Sequence, residues 1–160
     1  MAAKKTKARK ASSKNPPARA QRVVKKKPAR SAAPTVAQFM TSSVHTIGSD
    51  QPLSRAHEMM NKYRIRHLPV LDGGSLTGLV SQRDLYFVEA LGDTPPTDIR
   101  VEEAMTQDVF ETSRDTPLAE VASTMIKKKL GCAVVTHRGI VVGVFSIIDG
   151  LKALLKYMPG

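Results

Sequence analysis

A serine and an aspartate three residues apart can cap a helix or hold a ligand, and this chain carries that pair twice. Residues 78–84 read GLVSQRD and residues 143–149 read GVFSIID. In each copy a glycine and two apolar residues of strand type run into a serine, and an aspartate follows within one helical turn. That is a strand-to-helix corner. Backbone N–H groups at such a corner favour an anion, while a carboxylate one turn further in accepts hydrogen bonds only. The vicinal hydroxyls of a ribose supply two donors at the spacing a carboxylate can take. The simpler reading of either copy alone is a cap, with Ser81 on a backbone N–H and Asp84 set against the helix dipole.

The elements that must place these corners repeat with them. Shifting the sequence by 65 positions aligns it with itself without a gap from Val36 to Asp149, with fourteen of the fifty positions from Val36 to Leu85 identical. A register held this long indicates duplication of one supersecondary unit. Each unit opens with a short helical turn (36–40; 101–105) and an extended segment (44–47; 109–112). A helix follows, with Asp50 or Asp115 expected as N-cap and Pro52 or Pro117 in the first turn. Leu53, Ala56, Met60 and Tyr63 in the first copy, and Leu118, Val121 and Met125 in the second, recur at helical spacing as its buried face. Two strands come next (67–71 to Ser81; 132–136 to Ser146), joined through Asp72-Gly73-Gly74 or Arg138-Gly139. A last helix completes the unit and carries Leu151, Leu154, Leu155 and Met158 on one face in the second copy. The expected fold is α/β of the α+β kind, β-α-β-β-α twice, as a pseudo-symmetric pair behind a disordered basic tail. A unit of about sixty residues is marginal alone, so the two should pack as one module with ligands in the cleft between them. The boundaries expected are a tail at 1–35, units at 36–91 and 99–158, and a linker at 92–98 stiffened by Pro95 and Pro96.

These units resemble a tandem pair of CBS domains, named for cystathionine beta-synthase. The resemblance rests on the Met40-Thr41 and Met105-Thr106 starts, the D-x-P-L helix entries, the LPV strand at 68–70 and the two closing G-h-h-S-x-x-D corners. It implies two clefts, pairing into a homodimer, and regulatory binding of AMP, ADP, ATP or S-adenosylmethionine, with no cofactor required and no chemistry on the ligand. Carried onto this sequence, it puts Ser81 and Asp84 on phosphate and ribose, and Ser146 and Asp149 likewise in the second unit. Thr46 and Ile47, and Glu111 and Thr112, would hold the base. Backbone around Leu68 and Pro69, and around Ala133 and Val134, would line the clefts. Arg66 and His67, with Arg83, match basic positions that contact phosphate, where an Arg can act bidentately. The second unit departs from this: Gly131 and Cys132 replace the basic pair and Ile147-Ile148 replace Gln82-Arg83. Its cleft is expected to lack a local cation and to bind more weakly or prefer a less charged ligand.

Charge divides the chain sharply. The formal net charge is +11, yet residues 1–35 hold Lys4, Lys5, Lys7, Arg9, Lys10, Lys14, Arg19, Arg22, Lys25, Lys26, Lys27 and Arg30 and no acid, leaving thirteen bases against fourteen acids elsewhere. Only the tail has the electrostatics of a polyanion binder. It has too little apolar content to order itself and no aromatic ring to stack bases, so it would hold DNA or RNA through phosphates. The competing readings are a solubility tail and an organelle transit peptide, the latter disfavoured by four prolines and by Lys outnumbering Arg eight to four. A single cysteine, Cys132, excludes an intrachain disulfide and a Cys-based zinc cage; it reads as a small buried hydrophobe. His45, His57 and His137 show no metal-ligand spacing, and no metal site is expected. There is no run of about eighteen apolar residues to span a membrane and no secretory signal, so the expected location is cytoplasmic, with nucleoid association through the tail. Without a phosphate loop of G-x-x-x-x-G-K-[ST] type, a magnesium carboxylate cluster or a nucleophile-base pair, the chain reads as a non-catalytic sensor. The alternative is a nucleic-acid-associated protein whose tail binds and whose paired units dimerise it.

Overall fold

The structure, a computed structural model, describes residues 33–92 and 94–158. The twelve basic residues of the expected tail lie outside the described residues. Two three-stranded sheets form the framework. The first contains β1 (Ile47–Gly48), β2 (His67–Asp72) and β3 (Ser75–Ser81), with α1 (Leu53–Tyr63) between β1 and β2 and α2 (Gln82–Leu91) after β3. The second repeats it: α3 (Val101–Ala104), β4 (Glu111–Ser113), α4 (Leu118–Lys128), β5 (Cys132–His137), β6 (Ile140–Ser146) and α5 (Ile147–Tyr157). Strand order is β1-β2-β3 and β4-β5-β6, the first pair of each sheet parallel and the second antiparallel. The β-α-β-β-α order expected from the repeat is observed in both units. Each antiparallel pair closes through a two-residue turn with both residues at positive φ, Gly73-Gly74 and Arg138-Gly139, a backbone that matches strand twist.

The units do not pack in the order in which the chain presents them. Val36, from the opening turn of the first repeat, is fully buried in the second core with Val121, Ala133, Val135 and Phe145, while Ile99 and Val101, from the opening of the second repeat, sit in the first core with Leu53, Met60, Leu68 and Val80. Backbone bonds hold the exchange symmetrically. Val36 N–H donates to Thr116 O at 3.1 Å and Val101 N–H to Gln51 O at 2.8 Å; Thr41 pairs with Val144, and Thr106 with Leu79. Pro34 and Thr35 belong to this exchange, since Leu118 N–H donates to Pro34 O at 2.8 Å and Thr35 bridges Pro117.

That arrangement also corrects the expected helix starts. Pro52 and Pro117, not Asp50 and Asp115, occupy the N-cap positions of α1 and α4, without side-chain caps. The first helical N–H of each is taken by backbone from the opening segment of the other repeat: Leu53 N–H by Ile99 O at 2.9 Å, and Leu118 N–H by Pro34 O. A side-chain acceptor is therefore unnecessary there. Tyr63 was expected in the core but is exposed and stacks on His45, with ring centroids 3.6 Å apart. Tyr63 is the last residue of α1, and the helix ends there with Arg64 left-handed, so no further turn covers its ring. The apolar face of α5 carries Leu151, Leu154 and Leu155, with Met158 following as its C-cap, all more than half exposed. No helix among the described residues is long and apolar enough to cross a membrane.

Candidate functional site

Both corners form as capping boxes. Ser81 ends β3 and caps α2: its Oγ accepts from Asp84 N–H at 3.3 Å, while Asp84 Oδ2 accepts from Ser81 N–H at 2.8 Å and Ser81 Oγ–H at 2.6 Å. Ser146 and Asp149 repeat this at the start of α5, with Asp149 Oδ2 accepting at 3.0 and 2.7 Å. The copies differ at the other carboxylate oxygen. Lys152 Nζ donates to Asp149 Oδ1 at 3.1 Å, and the Asp149 side chain is 4% exposed. The position equivalent to Lys152 in the first repeat is Phe87, and Asp84 Oδ1 has no such partner among the described residues.

Two pockets open beside these corners and share a wall of Arg66, His67, Gly131 and Ile147. The one of about 260 Å³ adds Arg64, Ser146, Asp149 and Lys152; the one of about 350 Å³ adds Ser81, Gln82, Arg83 and Tyr86. Arg66 and His67, numbered with the first unit, thus face both corners. The expectation that the Ser146 side lacks a cation is corrected: Arg64, Arg66 and Lys152 line it. The sequence reading missed this because it assigned each basic residue to its own repeat, whereas the start of β2 lies at the seam. Lys152 carried a readable signal, standing three residues after Asp149 on a capped helix.

Of the other expected contacts, Ile47, Leu68, Pro69, Ala133 and Val134 are buried; Thr46 directly precedes β1, Glu111 and Thr112 are on β4 and Asp84 is on α2. None of these nine lines either pocket. β2 and β5 are buried on both faces over residues 68–70 and 132–135, so these side chains are not free to enter the groove.

His67 is the least ordinary group at the seam. Burial pushes its pKa below 6.5, Arg66 and Arg83 push the same way, and Asp84 opposes them. The imidazole is therefore held neutral between guanidinium groups. Its Nε2 lies 2.7 Å from where a Cβ on Gly131 would stand. Cys132, next in β5, has its thiol pushed up to about 12 by burial, and it packs as an inert hydrophobe. Among the described residues no three His, Cys, Asp or Glu side chains are grouped to hold a metal ion.

The fold and groove define a tandem α+β module whose two halves exchange their opening segments across a pseudo-dyad. The CBS domain profile matches residues 36–90 and 101–156, and the chain belongs to the CBS domain family. An L-aspartate semialdehyde sulfurtransferase of Methanocaldococcus jannaschii is 30% identical over 125 residues, 77% of this chain and 24% of that protein. An A-adding tRNA nucleotidyltransferase of Geobacter sulfurreducens is 27% identical over 126 residues, 78% of this chain and 13% of that protein. The chain thus spans a quarter or less of these relatives. Among solved structures, a Vibrio cholerae protein assigned to acetoin utilization (AcuB) superposes with a TM-score of 0.70 at 30% identity, covering 78% of this chain and 92% of its own. A CBS domain pair solved with 5′-methylthioadenosine and S-adenosyl-L-methionine gives 0.72 at 24% identity over 79% and 99% of the two chains. The protein CBSX2, solved with AMP, gives 0.69 at 23% over 76% and 97%.

Proposed function

We propose that the chain is a non-catalytic sensor of adenosine phosphates, AMP, ADP or ATP, bound in the groove at the seam of the two units. The observation that carries this reading is the placement of Arg66 and His67 between the two Ser–Asp corners, with Arg64, Arg83 and Lys152 around them. Four permanent cations and two helix N-termini favour a phosphorylated ligand over a sulfonium such as S-adenosylmethionine. Asp84 does not itself line the pocket, but it follows the lining residues Ser81, Gln82 and Arg83 directly and its Oδ1 takes no hydrogen bond among the described residues, which suits it to a ribose diol once a ligand is seated. The structural neighbours solved with AMP and with adenosyl compounds support the ligand class. Thermal unfolding of the full chain with adenosine, AMP, ADP, ATP and S-adenosylmethionine tests it, because a ligand that prefers the native state raises its stability. A rise with the adenosine phosphates exceeding that with S-adenosylmethionine is expected; no rise with any of them overturns the reading.

The exposed apolar face of α5 favours a further element, a homodimer in which a second copy covers Leu151, Leu154, Leu155 and Met158. A patch of this kind on a small soluble unit marks an association surface. Dimerisation would join two basic tails and strengthen their hold on nucleic acid by avidity, which makes the tail one route of output and a partner protein the other. Sedimentation velocity tests the dimer, and a monomer at micromolar concentration overturns it.

A further inference from the structure

The two corners are alike in sequence, spacing and capping, yet the groove has only one copy of the residues that would clamp a phosphate between them. Arg66 and His67 line both pockets, and their counterparts in the second repeat, Gly131 and Cys132, supply neither charge nor reach. Gly131 is not a position where a cation was merely lost. The ring of His67 occupies the space its side chain would need, with Nε2 at 2.7 Å and Cε1 at 2.9 Å from a Cβ there. Cys132 is buried. The pseudo-dyad is thus broken at its centre, and the half that keeps side chains serves both sides. The two pockets, at about 260 and 350 Å³, lie just below and just above the low end of the range for a small-molecule site, about 300 Å³.

Resting on the adenosine-phosphate reading above, we propose that the two Ser–Asp corners compete for the single Arg66–His67 clamp, so that one chain holds one polyphosphate ligand at a time. Two triphosphates placed at the two corners would converge on the Arg66 guanidinium, and the second would meet the charge of the first with only Arg83 on the Ser81 side, or Arg64 and Lys152 on the Ser146 side, to offset it. The local cations add an asymmetry. On the Ser146 side Lys152 is tied to Asp149 and Arg64 is left, while on the Ser81 side Arg83 stands beside the corner; neither arginine has an ion pair among the described residues. At the Ser81 corner the carboxylate keeps Asp84 Oδ1 without a hydrogen bond among the described residues, although Asp84 stands behind the lining of that pocket; at the Ser146 corner Asp149 lines the pocket but is tied to Lys152.

The test counts ATP on the full chain by equilibrium dialysis and then displaces it with excess adenosine. ATP held by the Lys and Arg residues of the tail is bound through phosphate alone and is not displaced by adenosine, so the displaced fraction reports the groove. One displaced ATP per chain is expected, and Arg66→Ala should weaken that molecule by at least about tenfold, the loss of a charge-assisted hydrogen bond. Two displaced per chain overturns the shared clamp and leaves the nucleotide reading standing. One displaced ATP whose affinity survives Arg66→Ala also overturns the clamp. None displaced overturns the nucleotide reading itself.

Discussion

Met105 lies against Gly78 so closely that a Cβ at residue 78 would stand 2.9 Å from Met105 Cγ and 3.2 Å from Thr106 O; Met40 and Gly143 repeat the contact, with Met40 Sδ at 2.6 Å. Each methionine comes from the opening segment of one repeat and each glycine from the second strand of the hairpin in the other. The identical Met-Thr and Gly positions of the two repeats thus form the lock that holds the exchange. Gly78→Ala should destabilise the chain by about 1–3 kcal/mol through overpacking, read as a lower urea midpoint at unchanged slope. An unchanged midpoint would mean that the thioether swings away freely and that the lock is not structural.

Asp84 serves two purposes that one substitution separates. Asp84→Ala removes the acceptor for Ser81 N–H and Oγ–H, and loss of such a capping arrangement costs about 1 kcal/mol. Adenosine affinity should fall by roughly tenfold as well, since a hydrogen bond to a charged group is worth about 1.5–3 kcal/mol. Calorimetry and thermal unfolding read the two effects separately. Lowered stability with unchanged adenosine affinity would leave Asp84 as a cap alone.

His67 predicts a pH dependence of stability. Its folded-state pKa lies below 6.5, because burial and the Arg66 and Arg83 charges oppose protonation more than Asp84 favours it. The unfolded chain therefore binds the proton more readily, and stability falls as pH drops from 6.5 toward the folded value. His67→Gln, which stays neutral, should flatten that part of the profile when unfolding midpoints are compared at pH 7.5 and 5.5. An equally steep fall in the variant would assign the loss to other groups.

Lys129 ends α4 with φ 55°, in the left-handed region, as Arg64 does at the end of α1 with φ 54°. A side chain in that region costs roughly 1–2 kcal/mol, part of which glycine returns in chain entropy. Lys129→Gly should stabilise the chain by about 0.5–1 kcal/mol in a denaturation curve. Lys129 lines neither pocket, so nucleotide affinity should stay constant; destabilisation would show that the lysine side chain contributes contacts that outweigh its backbone strain.

Leu155 is 71% exposed on α5, so Leu155→Glu should leave the fold of one chain within about 0.5 kcal/mol of the parent while shifting sedimentation from dimer to monomer. An unchanged dimer would place the association surface elsewhere.

What the sequence determined by itself was local. The Ser81–Asp84 and Ser146–Asp149 boxes and the Gly73-Gly74 and Arg138-Gly139 turns were legible, because capping and turn chemistry act within four residues and the 65-residue repeat showed each signal twice. The periodic stripe identified Leu53, Ala56 and Met60 as core for the same reason. The tertiary structure alone decided which repeat each opening segment serves. Val36 joins a core whose other members lie some 85 or more residues later, and Val101 returns to one formed by residues 47–85. No local periodicity encodes such a choice, since either core would accept a valine of that size. That crossing decides where the helices start, through Ile99 O and Pro34 O, and it opens the seam at which Arg66 reaches the corners of both units.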